Sequence, residues 1–593
     1  MSKKQQIITG GDFLIRQRDA ELIFIPEEFN EEQQMIAQMC RDFIEQEVLP
    51  KLDEIDATQE GLLVSLLDKA GQQGILGISV PEEYGGFGKD YITSMLATEA
   101  LGSGHSFTVA YATHTGIGTL PLLYYGSKEL KEKYLPKLAT GEQKACYCLT
   151  EPDAGSDANA GKTKATLSDD GKHYILNGQK MWITNAGFGD LFTVFAKIDD
   201  DKNLSAFIVE KDFGGITINP EEKKMGIKGS STCQVFFSDC KVPIENLLGK
   251  RDEGFKIALN ILNIGRIKLA AATNGGSKDL ITHSVHYSNE RKQFSKAIAS
   301  FGAIKYKLAE QSIRTFACES ALYRCSGDIQ KIINEQIQQG IEKQEAILEA
   351  SRQFAPEAAI LKVLGSEVLD YVVDEAVQIY GGMGYSAIAP VERAYRDARI
   401  NRIFEGTNEI NRLLIVDMLL KKAMKGEIDL MSAAKSVADE LMSIPDFSQH
   451  GDGFFEKEKG YISNFKKAIL MVAGAAVQKF MTKLADEQEI LINLADMIIN
   501  LYTAESILLR TEKMNAMNRM EVEHEHMVKV FLNDSAQRIN IAGINAISSF
   551  SSGDELRIMM MGLKRFTKID PINTKEARRC IADKMIKENK YCY

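Results

Sequence analysis

The chain changes texture twice along its 593 residues, and this alternation restricts its architecture more than any other feature. From about residue 30 to 140 the pattern is helical. In EEQQMIAQMCRDFIEQEVLPKL the apolar residues Met35, Ile36, Met39, Phe43 and Val48 recur at spacings near three and four, so they share one helix face. Pro50 ends or kinks that helix. From about 145 to 250 strands and turns take over. SDDGKHYILNGQKMWIT contains Asp170-Gly171 and Asn177-Gly178, both strong hairpin signals. LFTVFAKIDDDKNLSAFIVEK reads as strand, polar turn, strand, and STCQVFFSDCKVP as a further strand. Helical texture returns over 251–425 and again from about 460. The predicted fold class is mainly α with a β domain. Its parts are an N-terminal helical domain (1–144), a β-barrel or sandwich (145–250), a helical bundle (251–425) and an additional C-terminal helical domain (426–593). The last begins near Lys425 and contains the breaker-rich loop SIPDFSQHGDGFF. The Gln/Glu/Lys-rich segment 329–353 reads as an exposed helix or insertion.

Composition removes several classes of function. With 71 Lys plus Arg against 82 Asp plus Glu the net charge is −11, so no general basic face awaits nucleic acid. The nine cysteines form no CxxC pair and read as reduced thiols of an intracellular chain. MSKKQQIITGGDF has neither an apolar signal core nor an Arg/Ser-rich transit pattern, so a cytoplasmic location is expected. The longest clean apolar stretch, Ala468 to Val477, is about half of a membrane span. The chain is therefore expected to be soluble or peripheral to the inner membrane. The amphipathic KKAILMVAGAAVQKF reads as core packing or as a membrane-facing surface. No metal site is expected: His283 and His286 lack a third ligand, and His524 and His526 alternate with glutamates on what reads as a solvated face.

Four segments carry the chemistry: YCLTEPDAGSD (147–157), QKMWITN (179–185), QIYGGMGY (378–385) and RIFEGTNEI (402–410). By identity, order and placement they resemble the acyl-CoA dehydrogenase family over roughly residues 30–425. Length and the added C-terminal domain look like its longer, very-long-chain branch. The resemblance implies an α-β-α three-domain fold, bound FAD, and α,β-dehydrogenation of a long acyl-CoA to the trans-2-enoyl-CoA in fatty-acid β-oxidation. It also implies an electron-transfer flavoprotein as acceptor and a homo-oligomer, with a dimer favoured. Two rival readings are an oxygen-using acyl-CoA oxidase and a non-enzymatic scaffold recruited as an assembly protein.

The resemblance also assigns residues. Removing a proton α to a thioester needs a carboxylate in a dry pocket, and Glu405 matches the family's base. Ile403 and Phe404 before it are apolar, and Gly406 permits close backbone approach. Burial should raise its pKa toward about 6–7. The competing reading is a surface Glu ahead of a helix capped by Thr407. Some relatives place the base on the helix that here reads LNIGRIKLA, where this chain has Gly265. Arg266, Asn263, Phe404, Gly406 and Ser156 match substrate-side positions. On the flavin side the match gives Tyr147, Leu149, Thr150 and Ser156 in the first segment, and Trp182, Ile183 and Thr184 in the second. Thr407 and Asn408 join them from the fourth. Arg291, Gln293 and Phe294, with Gln378, Ile379, Gly381 and Gly382, match the half-site offered to the neighbouring subunit's FAD. Gly116 and Gly118 in THTGIGTLPLLYYG either leave room for a deep acyl pocket or serve close helix packing.

Overall fold

In the computed structural model, which describes residues 8–441 and 453–593, the chain is helical through Thr140, β from Ala145 to Leu248 and helical again beyond Gly254. The first long helix, Glu31–Phe43, begins where Asn30 accepts the Gln33 N–H (2.9 Å) and Gln33 accepts the Asn30 N–H (3.1 Å). This reciprocal cap satisfies two donors that a helix start leaves unpaired.

The β region holds β1 (Ala145–Cys148), β2 (Lys164–Leu167), β3 (His173–Thr184), β4 (Leu191–Ile198), β5 (Ser205–Glu210), β6 (Ile216–Ile218), β7 (Thr232–Pro243) and β8 (Leu247–Leu248). They form one sheet in the order β6-β7-β3-β2-β4-β5-β8, with β1 paired parallel to β4. Its two halves join where β2 pairs parallel to β4 over only two residues on each strand. Phe192, Val194, Phe207, Val235 and Leu176 make the core between them. Asp170-Gly171 turns β2 into β3 as predicted, with Gly171 at φ +69°. Asn177-Gly178 does not. It lies inside β3 as a bulge opposite Asp239, held by Asn177 Nδ2 donating to Asp239 Oδ1 (3.0 Å) and Asp239 N–H donating back (2.9 Å). A bulge and a hairpin both use a glycine's conformational freedom, so the dipeptide alone does not separate them.

Two 37-residue helices, Gly254–Glu290 and Gly302–Gln338, with Ala355–Tyr380 and Asn408–Met424, build the second helical region. The C-terminal helices include Phe454–Phe480, Gln488–Ala516 and Val522–Phe550. One apolar cluster runs from Ile264 and Ile313 through to Ile498 and Val530, so the last region shares its core with the bundle.

Several expectations change. Segment 329–353 is not simply exposed: Ile329, Ile332 and Ile333 are buried on one helix, and Ala346 and Ala350 on the next, Lys343–Gln353. His524 is buried, accepts the Glu521 N–H (3.0 Å) and packs edge-on to Tyr593, because its helix turns that face inward. Of SIPDFSQHGDGFF, only Gly453–Phe455 lies within the described residues, and there it opens a helix. Two segments, Phe454–Asp486 and Gln488–Ala516, are long and apolar enough by length and composition to cross a membrane, which revises the shorter estimate from the sequence. The most apolar window of the second is 78% buried, which marks a core helix, against 39% for the first.

Candidate active site

A cavity of about 470 Å³ opens where the three regions meet. β1 and the loop after it contribute Tyr147, Leu149, Thr150 and Ser156, and the end of β3 contributes Trp182, Ile183 and Thr184. These two segments are bolted together. Lys180 is fully buried and donates to Glu151 (2.7 Å) and to the Phe195 carbonyl (2.6 Å), while the Met181 N–H donates to the Thr150 carbonyl (2.9 Å). Beside that bolt β3 loses register with β7, and Trp182 takes φ +56°, rare for a bulky residue. The distortion leaves the indole 59% exposed and bordering the cavity, so the lone tryptophan is not a core anchor.

The opposite segment is the turn Phe404-Glu405-Gly406. Glu405 sits at φ +60° and Gly406 at φ +81°. Such strain persists only where surroundings impose it. Here Asn411 Nδ2 donates to the carbonyls of Glu405 (3.3 Å), Gly406 (2.7 Å) and Thr407 (3.0 Å). Arg266 adds a bond to the Glu405 carbonyl (3.3 Å) and one to Asn263 (2.9 Å). Arg266 also borders the cavity, and it makes no ion pair among the described residues.

The residue as a whole keeps some accessible surface along the cavity, yet Glu405 Oε2 is enclosed and has no hydrogen-bond partner. Burial raises its pKa to about 7, against the pull of the Arg266 and Lys362 charges. The nearby Tyr147 hydroxyl is likewise enclosed without a partner. Gly265 lies against Glu405: a Cβ there would stand 3.0 Å from Oε2, so the helix leaves space for the carboxyl only by lacking a side chain. Gly116 borders the cavity, and its Cβ would meet only Lys268 Cδ, at 3.9 Å. Gly118 does not border it. Its Cβ would collide with Ala145 Cβ (2.8 Å) and the Thr113 carbonyl (2.9 Å), so Gly118 is a packing glycine.

Other expected residues lie elsewhere. Thr407 caps the following helix through the Ile410 N–H (3.3 Å). Asn408 is buried beneath it, taking the Lys362 ammonium (2.6 Å) and donating to Ser366 (3.0 Å) and Glu367 (3.1 Å). Asn263 braces Arg266 rather than lining the cavity, and the Ile379 side chain belongs to the core. Arg291, Gln293 and Phe294, with Gln378, Gly381 and Gly382, form a separate exposed face joined by the stacked rings of Tyr287 and Tyr380 (4.0 Å). Phe294 there is 88% exposed. The bracing residues Lys180, Glu151 and Asn411 stood inside the recognised segments or just after them, but their burial and pairing are long-range facts. Lys268 and Lys362 carried no sequence signal.

The chain matches the family descriptions "Acyl-CoA dehydrogenase, N-terminal domain" over residues 30–142, "middle domain" over 146–240, and "C-terminal domain" over both 252–420 and 464–565. It belongs to the acyl-CoA dehydrogenase family. A "Probable acyl-CoA dehydrogenase" of Bacillus subtilis (strain 168) is 45% identical over the full length of both chains. A crystal structure of an acyl-CoA dehydrogenase complexed with FAD from Bacillus anthracis is 44% identical and superposes with a TM-score of 0.96, covering 99% of this chain and 100% of that one. The human very long-chain specific acyl-CoA dehydrogenase is 40% identical over 408 residues, 66% of this chain and 58% of that protein. The acyl-CoA dehydrogenase fold, with its helical, β and helical domains, is the architecture described above.

Proposed function

We propose that this acyl-CoA dehydrogenase desaturates long-chain acyl-CoA between the α and β carbons, with Glu405 as the base, in fatty-acid β-oxidation. One observation supports this above others: an enclosed, unpartnered carboxyl oxygen, with a pKa near neutrality, in the same cavity as an exposed tryptophan. A general base works best with a pKa near the working pH.

The walls suit FAD. The unpaired Tyr147 hydroxyl, Thr150, Ser156, Trp182 and Thr184 present hydroxyls, backbone and an aromatic face to one side of the cavity. Bound there, FAD supplies the two-electron acceptor for the hydride that leaves the β carbon. Glu405 takes the α proton as that hydride departs. The Glu405 N–H has no acceptor among the described residues and is free to donate to the thioester carbonyl. The Arg266 and Asn411 braces hold carboxyl and N–H together in one strained turn, and the apolar walls keep water from competing for the proton.

An electron-transfer flavoprotein then takes the electrons. The exposed face around Phe294, Gly381 and Gly382 fits contact with a second copy, giving a homodimer in which each subunit completes the other's FAD site. The partly exposed Phe454–Asp486 segment suits a protein in the cytoplasm or peripheral to the inner membrane. The test is anaerobic titration of the bound-flavin spectrum with acyl-CoAs of increasing length. Bleaching that strengthens with chain length and is lost in Glu405→Gln supports the reading. Full bleaching in that variant overturns the role of Glu405, and bleaching by short chains alone overturns the chain-length assignment.

A further inference from the structure

Lys268 is a cavity charge that the chemistry above does not use. It lies three residues past Gly265 on the Gly254–Glu290 helix, about 4.5 Å further along the axis. It borders the main cavity and a smaller one of about 40 Å³ next to Ser94, Tyr124 and Ile347. The residue is only 6% exposed and makes no hydrogen bond or ion pair with any described residue.

This sets it apart from the other buried lysines. Lys144 is paired with Asp68, Lys180 with Glu151, Lys422 with Glu427 and Lys466 with Glu505, while Lys362 donates to Asn408. Glu405 sets its unpartnered carboxyl against Gly265 and does not raise the Lys268 ammonium, and the other carboxylates along both cavities are engaged. Asp397 is bonded to His105 (2.9 Å) and to the Ile227 N–H, and Asp90 caps its own helix through the Thr93 N–H (2.7 Å). Asp279 sits 3.6 Å from His283. Burial alone moves the Lys268 ammonium down to about 8, with no anion raising it. A buried cation without a partner is costly, and a plain hydrocarbon tail passing Gly116 does nothing to offset it.

We propose that Lys268 is a specificity residue for acyl chains that end in a carboxylate, which its ammonium pairs with inside the cavity. The inference rests on the acyl-CoA dehydrogenase reading and leaves its chemistry unchanged: the distal carboxylate is a spectator held away from the α and β carbons. Because Lys268 stands only one helical turn beyond the Glu405 contact, the pairing selects one chain length, with the carboxylate a few carbons past the bond that is oxidised. Plain chains bind with the lysine head turned into the smaller cavity, whose Ser79, Ser94 and Gln344 can solvate it.

The experiment uses the flavin-loaded enzyme and an artificial electron acceptor. Two series of acyl-CoAs, matched in length, are compared: one with a methyl terminus and one with a terminal carboxylate. The readout is the ratio of kcat/KM for the carboxylate over the methyl member, which cancels any general loss in a variant. In the wild type the ratio should peak at one length. Lys268→Met should lower that peak by about tenfold to a hundredfold, the worth of a hydrogen bond to a charged group, and mainly through KM. Lys268→Arg should restore part of it. Thermal melting of Lys268→Met should be no lower than wild type, since a neutral side chain removes an uncompensated charge. A ratio flat with length in the wild type, or unchanged in Lys268→Met, overturns the proposal. Turnover of the methyl series alone overturns it while leaving the dehydrogenase reading standing. Turnover of neither series overturns both.

Discussion

Two parts of the molecule bury charge to a similar degree and treat it in opposite ways. Along the seam between the bundle and the C-terminal helices, one network of buried charges carries its partners within the fold. Lys278 bridges Glu99 (2.6 Å) and Glu319, and Arg510 joins Glu319 (2.9 Å) to Glu27 (2.7 Å) while lying over the Phe316 ring. Glu505 takes both Arg324 (2.8 Å) and Lys466 (2.5 Å). Burial would raise the Glu319 and Glu505 carboxyls, but Lys278 with Arg510, and Lys466 with Arg324, more than reverse it and hold both below the usual range. In the cavity the direction reverses. Glu405 rises to about 7 and Lys268 falls to about 8, because nothing in the chain fully compensates them. The difference teaches that burial alone does not tell a structural charge from a functional one. What separates them is whether the partner is part of the fold or has to arrive with a ligand.

The contrast can be broken experimentally. The largest effect is expected at the cavity: Glu405→Gln should retain flavin and lose about 10²–10⁴-fold in kcat, measured by acceptor reduction at saturating acyl-CoA. Near-wild-type kcat would remove Glu405 from the chemistry. At the seam, Arg510→Met leaves the buried Glu319 with Lys278 alone and removes the guanidinium from Glu27, and should cost about 2–3 kcal/mol in denaturant unfolding, with kcat of the folded enzyme retained. An unchanged unfolding midpoint would mean that this network does not join the two regions.

Next in size is the pH response. A carboxyl raised to about 7 in the fold is mostly protonated below that pH, so kcat/KM should fall about tenfold per unit as pH drops below 7. The stability effect has the opposite sense. The contribution of Glu405 is fully present below about pH 4.5 and lost as pH rises through about 7, so Glu405→Gln should be more stable than wild type at pH 8, by roughly 3 kcal/mol, and similar at pH 4. Equal melting temperatures at pH 8 would show that the carboxyl is better solvated than its enclosure implies. The smallest effect is expected at Gly116. Gly116→Leu should shorten the preferred chain, lowering kcat/KM for the longest acyl-CoA about tenfold relative to a short one. An unaltered length profile would place the acyl tail elsewhere.

The order of helical and β regions was legible because helical periodicity and turn dipeptides act over a few residues, and the four motif segments carried the family and its expected base. The limits of that reading appear at particular positions. Asn177-Gly178 asks for unusual backbone freedom, but only the opposing Asp239 makes it a bulge rather than a hairpin. Gly116 and Gly118 read alike, yet Ala145 and Thr113 crowd one while the cavity opens beside the other. Asn408 stands three residues past Glu405, and only the distant Lys362 draws it beneath the helix.

What the sequence determined by itself is therefore local: where helices and strands begin and end, and which residue types stand ready for proton and hydride chemistry. The tertiary structure alone decided which charges have partners. Lys268 in NIGRIKLA and Lys466 in FKKAIL both lie on apolar helices, and only the second meets a glutamate 39 residues on. Pairing and desolvation depend on groups brought together from distant parts of the chain, and no local pattern encodes their absence.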